Sequence, residues 1–375
     1  MKATSPFLAL ALSCAALPAM AQSSVTLAGR VDVGPQYVDN GTTKLKNIDS
    51  GAYTASRLIL RGREDLGDGL AATFYLETRF NADTGAQQSA AKFWNAGSYV
   101  GLTDSRWGTI TVGRQYTPIF WSFLFADDTG PLRLHGYSAL QSVQRSNFAR
   151  IRASASPITK AGSLDTLSNG IYSIGITSAF EDNQIVYKTA NFGGATAMIS
   201  VAAPEGYAAG SGKVVSGNVE YRNGGLYASV AANRKEGRIP ASGGIKQTMS
   251  EELASGMYEV VPGFKLWGNV HPWKMESAAN ARLKGRDWML GASYWFPQSE
   301  LWVNYASKKL DNCVSCNSQG WGIGYHYFLS RRTELYASIA NVSNEANSAN
   351  SLNGFAPGNF GQRVRATAIG IATTF

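Results

Sequence analysis

The chain has 375 residues, with 34 Lys and Arg against 26 Asp and Glu, for a formal net charge of +8. A basic balance ordinarily points to nucleic acid, but no run of five or six basic residues occurs and the N-terminus reads as an export signal, so nucleic acid is not expected as a partner. Glycine (40), tyrosine (17), phenylalanine (16) and tryptophan (9) are abundant while charged residues reach only 16%, a balance that suits many strands with one apolar face each.

Lys2 precedes an apolar run from Pro6 to Ala21 that closes with Ala19-Met20-Ala21. A basic start, a short apolar stretch and small residues at −3 and −1 make a secretory signal peptide over residues 1–21, with Gln22 as the mature N-terminus. The run is shorter than the ~20 residues a spanning helix needs. A lipid-attachment site at Cys14 is disfavoured by Ala11 three residues before it. Processing removes Lys2 and leaves a net charge of +7. The rest of the chain, 22–375, holds no long apolar run and no linker, and reads as one domain.

Period-two alternation then recurs in segments of 8–12 residues. In Val25–Val33 the odd positions are Val25, Leu27, Gly29, Val31 and Val33, and the even ones include Thr26, Arg30 and Asp32. In Leu70–Phe80, Leu70, Ala72, Phe74, Leu76 and Phe80 alternate with Thr73, Tyr75, Glu77 and Arg79. Trp288, Leu290, Ala292, Tyr294 and Phe296 repeat the pattern, as do Leu335, Ala337 and Ile339, and then Ile369, Ile371 and Phe375. A β-sandwich would alternate in the same way. Two features favour a lipid-facing barrel. Short turns, such as Asn223-Gly224-Gly225 and Pro262-Gly263, alternate with long loops, such as Tyr37–Tyr53, Asn81–Phe93, Lys235–Ser255 and Asn344–Gln362. Aromatic residues also cluster at strand ends, as in Tyr294-Trp295-Phe296 and Tyr325, Tyr327, Phe328, where interface girdles belong. Seven short turns and eight long loops join about sixteen antiparallel strands into a transmembrane barrel, closed because lipid tolerates no unpaired edge.

The connection from Tyr116 to about Glu181 is too long for a structureless surface loop. It opens with the apolar Ile119–Phe125, followed by Asp127 and Asp128, then Arg133, Arg145, Arg150 and Arg152. Folding of this third loop into the lumen would bury the apolar stretch; an extra outer hairpin, using Gly170–Phe180 as a strand, is the alternative. Alternation turns Arg30 and Asp32 inward on the first strand, Arg57, Arg61 and Arg63 on the second, and Glu77 and Arg79 on the third. A cluster of arginines on adjacent strands opposite an inserted loop is a basic wall that biases ion passage. Cys313 and Cys316 are the cysteines left after processing. In an exported chain such a pair is a disulfide, a redox motif or half a metal site. No second pair completes a zinc site and no βαβ pattern supports a redox role, so a small loop-closing disulfide is expected, with no metal and no cofactor.

On these residues the chain resembles the Gram-negative general porins, in particular the trimeric porins of β-proteobacteria. Ser24–Asp32 resembles the first strand of that family, and Ser56–Gly67 its second strand and first turn. Tyr99-Val100-Gly101-Leu102 resembles the fourth strand, Gly113–Pro118 the start of the constriction loop, and Asn191-Phe192-Gly193-Gly194 a later turn. The chain also ends in Phe375. The resemblance implies a homotrimer of 16-stranded barrels in the cell outer membrane, set among outer-membrane lipid and lipopolysaccharide. It implies a pore narrowed by the third loop, with wall arginines matching Arg57 and Arg114 facing acids matching Asp127 and Asp128. The expected function is diffusion of small hydrophilic solutes and ions, with a preference for anions. The chain departs from the family where a further wall arginine is expected before Asn183: Phe180, Glu181 and Asp182 stand there.

An enzyme is not expected. Of His135, His271 and His326 only His326 falls on a strand face turned inward, and neither Gly-x-Ser-x-Gly nor His-Glu-x-x-His occurs. The stronger rival is a channel specific for an anionic or sugar-like solute, for which Tyr75, Trp295 and Trp302 would begin a track. A purely structural or adhesive barrel is the third reading.

Overall fold

A computed structural model describes residues 24–125, 151–153, 179–203, 213–239, 245–277, 282–311, 313–352, 355 and 357–375. The expected signal segment lies outside them, as do Asp127 and Asp128.

The described chain is almost entirely strand. The wall is built from β1 (Ser24–Asp39), β2 (Ser56–Gly67), β3 (Leu70–Phe80), β4 (Gly97–Asp104), β5 (Gly108–Tyr116), β6 (Phe180–Lys188), β7 (Ala195–Ala202) and β8 (Val214–Asn223). It continues through β9 (Leu226–Ile239), β10 (Ile245–Val261), β11 (Phe264–Ser277), β12 (Arg282–Trp295), β13 (Ser299–Leu310), β14 (Ser318–Phe328), β15 (Thr333–Asn344) and β16 (Val364–Thr374). Each strand pairs antiparallel with the next, and β1 pairs back to β16 from Arg30↔Thr374 to Asp39↔Arg365. Of the seventeen strands in this sheet, sixteen form the closed wall; the other, Lys44–Ser50, folds back on the outer half of β1. Helix α1 (Pro118–Phe125) follows β5. Among the described residues no helix is long and apolar enough to cross a membrane.

The burial pattern is that of a soluble protein turned inside out. Leu27, Val100, Ile199, Val230, Leu290 and Ile369 are exposed on the outside of the wall, whereas Asp32, Glu77, Asn218, Glu251 and Asn304 between such positions are buried on the inside. A sandwich would bury the first set. Closure satisfies the backbone groups that hydrocarbon could not.

The loops depart from the sequence expectation in length. β9 and β10 run to Ile239 and from Ile245, so Lys235–Ser255 is mostly strand rather than loop. Tyr37–Tyr53 holds the returning strand Lys44–Ser50. Beyond the lipid a strand needs no apolar face, so its polar extension carries no alternation signal.

Candidate functional site

The site grows from register. Arg30 of β1 sits directly across from Arg57 of β2, and Arg57 directly across from Arg79 of β3, so three guanidinium groups share one row on the inner wall. Strands are about 4.8 Å apart, and three like charges at that spacing need neighbours of opposite sign. Glu77, fully buried, supplies one: its Oε1 lies 3.1 Å from Arg79 Nε and 3.6 Å from Arg57 Nη1. Tyr75 donates to its Oε2 (2.5 Å). Arg57 also donates to Thr54 Oγ1 (2.7 Å) and to the Ala55 carbonyl (3.0 Å). Arg30 pairs with Glu334 of β15, which His326 of β14 approaches at 3.0 Å. Asp32 accepts from the Tyr53 and Thr54 amides (3.1 and 2.5 Å) and from Tyr336 Oη (2.7 Å). It therefore anchors a turn rather than facing the pore.

Arg114 reaches the same region by another route. Strict alternation with the exposed Ile110 and Val112 would point it at lipid. The register shifts between Gly113 and Gln115, with Gly113 at φ +133°, and the alternation breaks there. Arg114 then donates to the Asn95 carbonyl (2.8 Å) and to Asp182 Oδ1 (2.7 Å), which also pairs with Lys92. Both cations lie over the Phe180 ring: Arg79 Cζ is 5.1 Å and Arg114 Cζ 5.2 Å from its centre. The other neighbours of that ring are Tyr116, stacked at 4.1 Å, and Phe120 at 6.1 Å. A phenyl ring attracts both guanidinium groups without neutralising either.

Helix α1 carries the start of the third loop into the lumen. Ile119, Phe120, Phe123 and Leu124 are buried. Ser122 docks the helix on the opposite wall: its Oγ accepts from Asn218 (2.8 Å) and Ser229 (2.7 Å), and its carbonyl from Ser255 (2.8 Å). The Ile119 amide donates to Ser216 Oγ (3.2 Å). The start of the apolar stretch is therefore inside the barrel, the placement the sequence favoured over an outer hairpin. Past α1 the short strand Ile151–Ala153 pairs with Asn350–Leu352 of the last outer loop.

The predicted wall residues are thus not equivalent. Arg57 and Arg79 share Glu77, whereas Arg30 pairs with Glu334 and Arg114 with Asp182. Arg61 and Arg63 lie further along β2 toward its short turn, across from Thr26 and Ser24. Sequence reasoning missed Glu334, Lys92, Asp182 as a partner, and the ring of Phe180 beneath two arginines. Asp182 and Glu334 carried a signal, since each falls on an inward-turned stretch of strand; the Phe180 arrangement carried none. Among the rival track residues, Tyr75 stacks on Tyr99 (5.2 Å), while Trp295 stacks on Phe328 (5.5 Å) near a short turn and Trp302 is buried elsewhere on the wall. They form no continuous row. Cys313 and Cys316 are joined as a disulfide, with Cα atoms 5.6 Å apart.

A closed barrel, apolar outside and polar inside, with a helix docked in its bore, is a membrane channel. A profile described as Gram-negative porin matches residues 8–347, and the chain belongs to that family of non-enzymatic outer-membrane channels. It is 32% identical over 342 residues to Outer membrane porin protein 32 of Delftia acidovorans, covering 89% of this chain and 88% of that protein. The structure resembles an anion-selective porin from Comamonas acidovorans, with a TM-score of 0.75 and 26% identity over 94% of this chain and all of that one. OmpT of Vibrio cholerae in its trimer form shares the fold, with a TM-score of 0.63 and 13% identity over 94% of this chain and 99% of that one. The family, the closed sixteen-stranded barrel and the outer-membrane location expected from the sequence all hold.

Proposed function

We propose that this porin is a homotrimeric, anion-preferring diffusion channel for small hydrophilic solutes and ions, made with a cleaved signal peptide over residues 1–21. The observation that carries the anion preference is the row of Arg30, Arg57 and Arg79, joined by Arg114 at the Phe180 ring. Its acids are outnumbered, and guanidinium stays protonated at any working pH. Likeness to a porin named as anion-selective supports the same sign, and likeness to a porin solved in a trimer form supports the assembly. Asp127 and Asp128 remain the proposed loop acids facing this wall, and the Cys313–Cys316 disulfide a clasp on an outer loop. A reversal potential in a dilute potassium chloride gradient tests the preference. Chloride should permeate better than potassium, and Arg57→Ala with Arg114→Ala should weaken the difference. A wild-type potential of the cation-selective sign would overturn the reading.

A further inference from the structure

Between the arginine row and the short-turn rim, the inner faces of β1 to β5 line a half-open hollow of about 620 Å³. Its volume is in the range of small-molecule sites, and its lining is chemically specific. Arg61, Tyr75 and Tyr99 stand in one row across β2, β3 and β4, because Arg61 is directly across from Tyr75 and Tyr75 from Tyr99. The two tyrosine rings are stacked, 5.2 Å apart and 18° from parallel. Arg63, two residues further along the same face of β2, is exposed to the hollow and makes no ion pair among the described residues. Tyr116, at the end of β5, and Trp121, on α1, are in edge contact at 5.1 Å and line the far side. In the arginine row above, by contrast with Arg63, Glu77, Asp182 and Glu334 already answer the charges.

We propose that this hollow is a binding site for small aromatic carboxylates on their way through the pore. The proposal rests on the channel reading above and adds a solute class to it. The aromatic plates take a planar ring, and the Arg63 guanidinium beside them takes the carboxylate through charge-assisted hydrogen bonds. An aliphatic carboxylate of the same size finds the charge but not the plates. Binding is weak, since a conducting site must release what it captures.

The test uses the full-length protein reconstituted in planar bilayers, with benzoate, cyclohexanecarboxylate or succinate added to potassium chloride. Benzoate should reduce the single-channel current at concentrations about 2- to 10-fold lower than cyclohexanecarboxylate, the margin an aromatic contact provides. Arg63→Gln should weaken benzoate block by about tenfold, the loss of one charged hydrogen-bond donor. Tyr99→Leu should erase the advantage over cyclohexanecarboxylate, and Tyr99→Phe should keep it, which separates a lost ring from a damaged fold. Equal block by benzoate and cyclohexanecarboxylate, stronger block by succinate, or an unchanged benzoate block in Arg63→Gln would overturn the site. The reversal potential without organic anions is read in the same membranes. Anion selectivity without benzoate discrimination sinks this proposal and leaves the channel reading standing; cation selectivity sinks the channel reading instead.

Discussion

Replacing Glu77 with Gln tests whether the wall acts through its residual charge. Around the row, Arg30, Arg57, Arg79, Lys92 and Arg114 supply five positive charges, and Asp32, Glu77, Asp182 and Glu334 supply four negative ones, a net of +1 among these residues. Glu77→Gln raises that to +2 while keeping the shape: its one amide oxygen, in the Oε1 position, still accepts from Arg79, and its NH2, in the Oε2 position, donates to the Tyr75 hydroxyl in place of accepting from it. One unit charge about 10 Å from a permeating ion in water shifts its energy by ~0.4 kcal/mol, or ~0.15 kcal/mol once 0.1 M salt screens it. Chloride and potassium feel opposite signs, so their difference changes by ~0.3 kcal/mol, about 1.7-fold in the permeability ratio. A low-dielectric wall strengthens the field, which makes this a lower bound. At 1 M salt, where the Debye length is ~3 Å, the effect should vanish. The assay is the bilayer reversal potential of wild type and variant at both salt levels. A shift of equal size at 0.1 M and 1 M would refute the electrostatic account, because only a change of pore shape is insensitive to screening; so would no shift, or one toward potassium.

Two further outcomes follow from the packing. Ser122→Ala removes the acceptor shared by Asn218 and Ser229; Ser229 can still donate to the Val219 carbonyl and Asn218 to the Pro118 carbonyl, which leaves one Asn218 N–H unmet at a cost of about 1–3 kcal/mol, so α1 should loosen from the wall and single-channel current should become larger and noisier, and unchanged current and noise would show that α1 does not set the bore. Deleting Phe375 removes both backbone hydrogen bonds, 3.1 Å each, that tie it to Gly29 at the closing seam; the amount of barrel inserted in the outer membrane should fall, and unaltered levels of heat-modifiable protein would count against a role for that seam in assembly.

The barrel was legible because lipid imposes a rule on every crossing residue. Leu27, Leu290 and Ile369 must face out and Asp32, Glu77 and His326 must face in, so the pattern repeats in the letters themselves. Extensions such as Arg234–Ile239 and Ile245–Ser250 rise beyond that rule and read as loop. The inward direction of Arg30, Arg57 and Arg79 was legible for the same reason, whereas that of Arg114 followed from family likeness alone. Alternation points it outward, and it depends on a bulge that a lone Gly113 does not announce. Partners hundreds of residues apart, such as Arg30 with Glu334, arise from closure of β16 onto β1 and have no local trace.

Counting inward arginines therefore overstates the field they produce. Arg30 and Arg57 are 5% and 2% exposed, so neither projects freely into the bore. A buried guanidinium without a partner is costly, and Glu334 and Glu77 offset that cost at the expense of the charge an ion would feel. Arg79 and Arg114 are held differently: each touches an acid, but both also lie over the neutral ring of Phe180. A ring in that position holds two cations near one another where an acid would have cancelled one of them. A third arginine there, which the family pattern would supply, would instead add repulsion that the existing acids cannot absorb. The residue that breaks the pattern thus fits a wall whose charges are mostly paired, and on the proposed reading any preference comes from the single charge left over.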